Sequence, residues 1–288
     1  MSDEVVWGVP SFWIERFPLY FGRHKGFFSK RNISLKIEYF WGGPELARAV
    51  AQRKVLIGEM GLPPFLKALS EGLQAQVIGS STIQQLNHYL VSRPEIKSLE
   101  DLKGKKVGIL SFGSCDDYFL RFMLKASGVD ADTEVNIVPL GEAYGDIGCF
   151  SPGRIDAGFL VEPYVALGES LGRVKILAVV KDYFPRYQWG IILAHNDLLE
   201  GNPGLVRRAM EAYRESCRAI KENPGEASAF GAQVFRLKKE IFSRALFRDL
   251  DSWELDAQID REGMKNCVKI QKVTGAIPRE FTPMELCQ

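Results

Sequence analysis

The residues best suited to chemistry in this chain are a cysteine and a histidine. Cys115 lies in LSFGSCDDYF (residues 110 to 119), directly after an apolar run, and His88 follows QQLN just before another one. A helix amino end lowers the pKa of a thiol and favours the nucleophilic thiolate, while an imidazole can act as acid or base near neutral pH. Both are candidate catalytic groups; the plainer interpretation is a cleft-lining thiol and a hydrogen-bonded loop histidine.

The spacing of the cysteines and histidines argues against a metal centre. No CxxC, HExxH or HxH pattern occurs, and the odd number of widely spaced cysteines fits reduced thiols better than a disulfide framework. We therefore expect no metal and no other cofactor. The residues concerned are Cys115, Cys149, Cys217, Cys267 and Cys287, and His24, His88 and His195.

The stretch around Cys115 is typical of a strand-to-helix turn. Gly113 allows a close turn, Ser114 is a good N-cap, and Asp116 and Asp117 fall in the first helical turn. A helix amino end attracts anions, but here two carboxylates already satisfy it. A simple inorganic anion is thus a poor candidate ligand, and in the plainer interpretation both aspartates only cap the helix.

These residues must be positioned by an α/β framework. Apolar strand patterns alternate with helical patterns across Gly- and Pro-bearing turns, and from Gly204 onward the pattern is helical. We therefore predict mostly parallel α/β sheets with a helical C-terminal layer. The predicted strands are Val5–Val9, Leu35–Phe40, Val55–Gly58, Ala75–Ser80, Tyr89–Ser92, Val107–Leu110, Val135–Pro139, Ala157–Val161 and Val174–Val180.

Composition bounds the partners and the compartment. The 288 residues are 46% hydrophobic and 25% charged, with a formal net charge of +1, so nothing indicates a nucleic-acid partner. No apolar stretch approaches the roughly 20 residues that span a bilayer, and MSDEVVWGVP does not read as a signal peptide. We expect a cytoplasmic protein if Met1 is the native start, and a periplasmic or extracytoplasmic one if a signal was trimmed.

Several short motifs, in order, carry a resemblance to a known family. They are Gly26-Phe27-Phe28, Gly42-Gly43, Ile57-Gly58 with Leu62-Pro63-Pro64, LEDLKGKKVG (residues 99 to 108) and Val161-Glu162-Pro163-Tyr164. The chain resembles the type II periplasmic binding proteins of the sulfonate, nitrate and taurine group, and the thiamine-pyrimidine-synthase-like proteins that share their fold. The resemblance implies two α/β lobes around a ligand cleft: lobe I (1–90 plus 190–288, with the C-terminal helices) and lobe II (91–189), with crossings near residues 89–94 and 185–190.

The resemblance also places a candidate ligand site in the cleft. The family's Gly-Ser-Ser stretch carries over to Gly113 and Ser114 as ligand donors. Aromatic faces bind flat or cationic groups, and carboxylates accept hydrogen bonds from amino groups. The predicted ligand-binding residues are Ser11, Phe12, Trp13, Trp41, Glu59, Gly61, Leu62, His88, Gly113, Ser114, Cys115, Asp116, Tyr144, Glu162 and Trp189.

The sequence favours a non-catalytic protein that binds a small organic solute, which is aromatic, nitrogenous or carboxylated. A membrane transporter of the ABC type would recognise the closed, ligand-bound form of this protein. The alternatives are an enzyme on the same scaffold, such as a decarboxylase, desulfinase or related lyase or hydrolase, and an intracellular ligand sensor. A desulfinase of this fold carries its cysteine in the first strand-helix loop, where this chain has Ser11, and the CCCFC motif of the pyrimidine synthases is missing.

Overall fold

The computed structural model describes residues 2–81, 88–141, 144–184, 186–250, 253, 256–273 and 275–287. The described strands form two five-stranded sheets. The first has the order β2-β1-β3-β10-β4, with β1 Asp3–Val9, β2 Ile33–Tyr39, β3 Ile57–Gly61, β4 Ala75–Ser80 and β10 Gly190–His195. The second has the order β7-β6-β8-β5-β9, with β5 Tyr89–Ser92, β6 Lys106–Ile109, β7 Asn136–Pro139, β8 Ala157–Leu160 and β9 Lys175–Val179.

Each sheet is parallel except for one strand. β10 runs antiparallel to β3 and β4, and β5 runs antiparallel to β8 and β9. These are the strands that the chain enters directly after passing from one sheet to the other. The mostly parallel two-lobed α/β architecture predicted from the sequence is confirmed.

The chain first crosses between the sheets earlier than predicted. It leaves β4 at Ser80 and enters the second sheet at Tyr89, so the crossing lies between these residues and not at 89–94, which begins with β5. β5 also spans the predicted lobe boundary between residues 90 and 91. The second crossing, between β9 and β10, contains the predicted segment 185–190 except for Gly190, which begins β10, and Pro185 lies outside the described residues.

Helices cover both sheets. They are α1 Phe17–His24, α2 Gly42–Ala51, α3 Leu62–Ser70, α4 Cys115–Ala126, α5 Tyr164–Ser170, α6 Val180–Tyr183, α7 Asn196–Gly201, α8 Pro203–Glu222, α9 Pro224–Phe235, α10 Lys239–Leu250, α11 Arg261–Val273 and α12 Pro283–Leu286. None of these described helices has the length and apolarity needed to cross a bilayer.

The C-terminal helices tie the lobes together. α8 and α9 pack on α1, and α11 packs on α3, all on the first-sheet side. Trp7 of β1 stacks on Tyr213 of α8 with ring centroids 5.6 Å apart, which anchors this layer. α10 contacts both α9 and α5, so one C-terminal helix also packs on the lobe of the second sheet.

Candidate ligand-binding site

His88 lies at the point where the first crossing meets the second sheet. Its side chain is 2% exposed, and its Nδ1 lies 3.7 Å from Oδ1 of Asp116 at the start of α4. Neither ring nitrogen makes a hydrogen bond among the residues that the structure describes. Leaving a buried polar group unpaired costs about 1–3 kcal/mol. The imidazole is therefore a buried group with unused hydrogen-bonding capacity, which is unlike the satisfied loop histidine of the plainer interpretation.

Two aromatic side chains flank this imidazole, and a third, from the other lobe, contacts one of them. The ring of Trp189, on the second crossing, lies edge-on to it with centroids 4.6 Å apart. Trp13, in the loop after β1, lies 6.1 Å from it in the same kind of arrangement and 6.4 Å from Tyr144 of the other lobe. Trp13, Tyr144 and Trp189 are each half-buried. The structure thus brings four predicted site residues together between the sheets, and we call this group, with Asp116, the interlobe cluster.

Backbone contacts bring the two lobes together beside the cluster. The amide of Ile14 donates to the carbonyl of Glu162 across the lobes at 3.0 Å. The amide of Leu62 donates to the carbonyl of Trp189 at 2.6 Å, which extends the β3–β10 pairing of the first sheet to the cluster. Gly145, at φ +81°, packs against Trp13, because an added Cβ would lie in ordinary van der Waals contact with the indole nitrogen, at 3.5 Å. The lobes are therefore in contact at this edge of the cleft.

The two aspartates at the start of α4 have different roles. Ser114 accepts from the amide of Asp117, and the carboxylate of Asp117 accepts from the amide of Gly113 at 2.8 Å and pairs with Arg121 at 2.7 Å. Capping therefore accounts for Asp117. Asp116 is 3% exposed, faces His88, and accepts a hydrogen bond from the side chain of Tyr144. Burial, and then the negative charge of Asp116, raise the pKa of Tyr144 well above its usual value.

Cys115 faces the C-terminal layer more than the imidazole. The amide of Gln271 on α11 donates to its Sγ at 3.7 Å. Burial, with Cys267 and Asp116 nearby, raises the pKa of the Cys115 thiol well above its usual value. The lowering that a helix amino end would produce is outweighed because the thiol is enclosed by protein.

Glu59 belongs to a buried ionic group beneath the first loop. It is fully buried at β3 and accepts from Nη1 of Arg16 at 2.9 Å, while Nη2 of Arg16 lies 3.2 Å from Glu15. Burial raises the pKa of Glu59 to about 7, and the positive charge of Arg16 opposes that rise. Arg16 was not singled out in the sequence, although a Glu-Arg pair inside the apolar run SFWIERFPLYF was the available signal.

Glu162 is also held by a cation that the sequence did not indicate. Its carboxylate lies 2.6 Å from Nη1 of Arg248 on α10 and caps α5 by accepting from the amide of Ala166 at 3.0 Å. Burial raises its pKa to about 7, with Arg248 opposing the rise. Next to this pair, Tyr89 donates to Asp249 at 2.7 Å. The Glu162 carboxylate is therefore already bound by Arg248 and by the amide of Ala166.

The other predicted site residues are more scattered. Phe12 stacks on Phe235 of α9 at 4.4 Å, away from the interlobe cluster, and Trp41 is 76% exposed. Gly113 is exposed at φ +76° in the turn before α4. A Cβ added at Gly61 would lie 3.6 Å from the Trp189 ring. The buried Oγ of Ser11 makes no hydrogen bond among the described residues.

Two surface cavities lie outside this site. One, of about 460 Å³, is lined by α5 and the corner between α9 and α10; the other, of about 430 Å³, lies around Phe12, Tyr39 and Phe235.

Among the described residues, no group of three or more His, Cys, Asp or Glu side chains could hold a metal ion. Around His88, by contrast, the described residues bring two tryptophan rings and two unpaired ring nitrogens together.

A family model described as NMT1/THI5 like matches residues 13–227, which is most of the chain. The chain belongs to the NMT1/THI5-like family. This confirms the resemblance that the motifs indicated. A protein of Brucella abortus that is described as a binding protein is 24% identical over 217 residues, which are 75% of this chain and 66% of that protein. The taurine-binding periplasmic protein of Escherichia coli is 27% identical over 190 residues, 64% of this chain and 57% of that protein. The chain thus spans about two thirds or less of these relatives.

Solved structures share the fold over the whole chain. The alkanesulfonate-binding protein of Xanthomonas axonopodis pv. citri, solved with MOPS bound, aligns with a TM-score of 0.81 at 16% identity, covering 100% of this chain and 99% of that one. A desulfurization enzyme aligns with a TM-score of 0.71 at 14% identity, covering 99% and 96%. At these identities the likeness establishes the periplasmic-binding-protein fold and leaves the activity to be decided by the site.

Proposed function

We propose that this protein binds a small organic solute between its two lobes, as the substrate-binding component of an ABC-type transporter. The observation that carries the proposal is the interlobe cluster, in which Trp13 and Trp189 flank a buried His88 with no hydrogen-bond partner among the described residues, and Tyr144 of the other lobe contacts Trp13. A ligand there would contact both lobes and both crossing segments at once. Its binding energy would therefore depend on closure.

Membership of the NMT1/THI5-like family, and relatives that include a taurine-binding periplasmic protein, support this function. By the same reasoning the transporter that reads the closed form is a membrane protein, and the binding protein acts outside the cytoplasm. A fusion of the native gene to a reporter that is active only outside the cytoplasm tests the location. Activity of that reporter supports transport, and its silence favours an intracellular sensor or enzyme.

The binding function is tested by a ligand panel read in two ways. Small carboxylates, sulfonates, and aromatic amines and amidines are screened for a rise in melting temperature, and each mixture is analysed by mass spectrometry. We expect at least one compound to raise the melting temperature, to remain chemically intact, and to lose its effect in Trp189→Ala. A panel that leaves wild type and variant indistinguishable would contradict the proposal.

A second candidate function is an enzyme on the same scaffold, a lyase or hydrolase of a small aromatic acid. The 3.7 Å approach of His88 to Asp116 favours it, because a carboxylate beside an imidazole can support acid–base chemistry. Conversion of a panel compound by wild type, abolished in His88→Ala and retained in Cys115→Ala, would establish this alternative. We expect the Cys115 variant to change little, because its thiol is held protonated.

A further inference from the structure

The two surface cavities meet at the corner between α9 and α10. Arg236 lines both of them, while its neighbours Phe235 and Leu237 line the smaller and the larger one respectively. The smaller cavity reaches Tyr39 at the end of β2 in the first sheet, and the larger reaches α5, which follows β8 of the second sheet. We call the surface that these two cavities form the corner strip. It therefore extends from one lobe to the other.

The floor of the corner strip is apolar and partly exposed. Tyr39 is 46% exposed and Leu171, at the end of α5, is 52% exposed. Exposed apolar side chains that gather in a concave surface mark interaction sites, whereas single ones scattered over a surface need no explanation. The other apolar side chains of the larger cavity are those of Leu167, Leu237 and Ile241.

The rim of the larger cavity is positively charged. Arg236 and Lys238 are exposed and form no ion pair among the residues that the structure describes. Arg244 lies 3.9 Å from Glu169, but that carboxylate is already bound by Arg248 at 2.5 Å. Among the described residues that line this cavity, Glu240 alone is acidic. The rim therefore offers cations whose charge is not neutralised by the protein itself.

Two of these cations stand where folding alone favours other residues. Arg236 ends α9 in the left-handed conformation, at φ +54°, which glycine adopts with the least strain. Lys238 precedes α10, and its carbonyl accepts from the amide of Phe242 at 3.1 Å, as an N-cap residue does. Serine or aspartate stabilises that position, and the positive end of the helix dipole repels a cation. Helix stability therefore explains neither residue.

We infer that the corner strip docks a segment of a protein partner in which apolar side chains are flanked by Asp or Glu. The apolar side chains would cover the floor, and the carboxylates would pair with Arg236, Lys238 and Arg244. The strip is concave and carries Glu240 among its cations, and the whole chain has a net charge of only +1, which favours a peptide segment over a flat anionic membrane. This inference does not rest on the proposed function, since docking here requires no solute in the cleft.

The inference is tested first with peptides that differ only in charge. Fluorescence anisotropy compares labelled peptides of equal length that carry leucine and phenylalanine, flanked by glutamate in one, by glutamine in the second and by lysine in the third. We expect the glutamate peptide to bind the wild-type protein about tenfold or more tighter than the lysine peptide, because complementary charges favour its docking. Its affinity should fall as the salt concentration rises.

Two variants then separate docking from folding. Arg236→Gly/Lys238→Ser removes both cations and gives each position a residue that helix ends favour. We expect a melting temperature no lower than that of wild type, together with binding of the glutamate peptide that is weaker by about fivefold or more. Arg207→Gln/Lys221→Gln is the matched control, because both cations are exposed on α8 and line neither cavity. We expect this control to bind the peptide within about twofold of wild type.

The contrary outcomes are distinct from one another. A melting temperature several degrees lower for Arg236→Gly/Lys238→Ser would show that these cations serve the fold, and would overturn the inference. Equal binding of the glutamate and lysine peptides, binding of neither, or equal affinities of the two variants would overturn it as well. Binding to phosphatidylserine vesicles without peptide binding would assign the strip to a membrane surface, and self-association in sedimentation that the first variant abolishes would assign it to a second copy of this chain. Either result would overturn the assigned occupant, and none of these results bears on solute binding in the cleft.

Discussion

Replacing Arg16 by Met should destabilise the protein severely. The guanidinium is 1% exposed and donates to a fully buried Glu59 at 2.9 Å, with Glu15 at 3.2 Å. Removing one partner of a buried ion pair leaves an uncompensated charge and typically costs about 3–5 kcal/mol. Met has a similar apolar stem, so the lost packing is small and the lost charge dominates.

The loss of stability caused by Arg16→Met should become smaller as the pH falls. Burial already raises the pKa of Glu59 to about 7, and removing Arg16 removes the positive charge that opposes this rise. In the variant Glu59 therefore takes up a proton more readily, which relieves the buried charge at low pH. We expect close to the full destabilisation at pH 8 and a clearly smaller one at pH 5.

Urea unfolding followed by tryptophan fluorescence measures these free energies. Arg48→Met is the control, because Arg48 is exposed on α2, and it should lie within about 0.5 kcal/mol of wild type. The double variant Arg16→Met/Glu59→Gln should recover part of the loss, since the uncompensated carboxylate is then gone. A cost below about 1 kcal/mol at pH 8, or no difference between pH 8 and pH 5, would refute the reasoning.

Three further predictions concern the carboxylates and the thiol. The pKa values of Glu59 and Glu162 are raised from 4.5 to about 7, so between these pH values the folded state binds more protons than the unfolded state. The free energy of unfolding should therefore fall as the pH rises from 4.5 to about 7. The double variant Glu59→Gln/Glu162→Gln should flatten this fall, and an unchanged slope in urea titrations would contradict the prediction. Arg248→Met should lower the free energy of unfolding by about 2–3 kcal/mol, which is less than for a fully buried pair because Arg248 is 21% exposed. Arg244→Met should lower it by under about 0.5 kcal/mol, because Arg244 lies 3.9 Å from Glu169 and is more exposed. Equal losses of stability in calorimetry would contradict the importance of the Arg248–Glu162 pair. Alkylation of Cys115 by iodoacetamide at pH 8, followed by peptide mass spectrometry, should be far slower than that of free cysteine, because burial raises its thiol pKa, and rapid labelling would contradict this.

The alternation of strands and helices could be predicted because its signals are local. Strands β4 and β5 have the predicted bounds Ala75–Ser80 and Tyr89–Ser92, and the chain is mainly helical after Gly204 as predicted. What the pattern could not supply is which sheet a strand joins. Tyr89–Ser92 is buried throughout and would fit either sheet, so the predicted crossing was placed several residues late.

The site was partly predictable for a related reason. Trp13, His88, Asp116 and Tyr144 follow strand ends or stand at a crossing, and such positions converge in an α/β fold. The partners of the acidic residues could not be found this way, because Arg248 meets Glu162 from a helix 86 positions further along the chain. Nor does the sequence show that Phe12, next to Trp13 along the chain, packs on Phe235 of the C-terminal layer.

The measurement that tests the central claim most directly is small-angle X-ray scattering with and without a compound that raises the melting temperature. Solute binding between the lobes predicts a smaller radius of gyration for wild type in the presence of that compound, and no change for a His88→Ala/Trp189→Ala variant that remains folded. Superimposable scattering curves for the free and bound wild-type protein, or an equal change in the variant, would contradict ligand-dependent closure around the interlobe cluster.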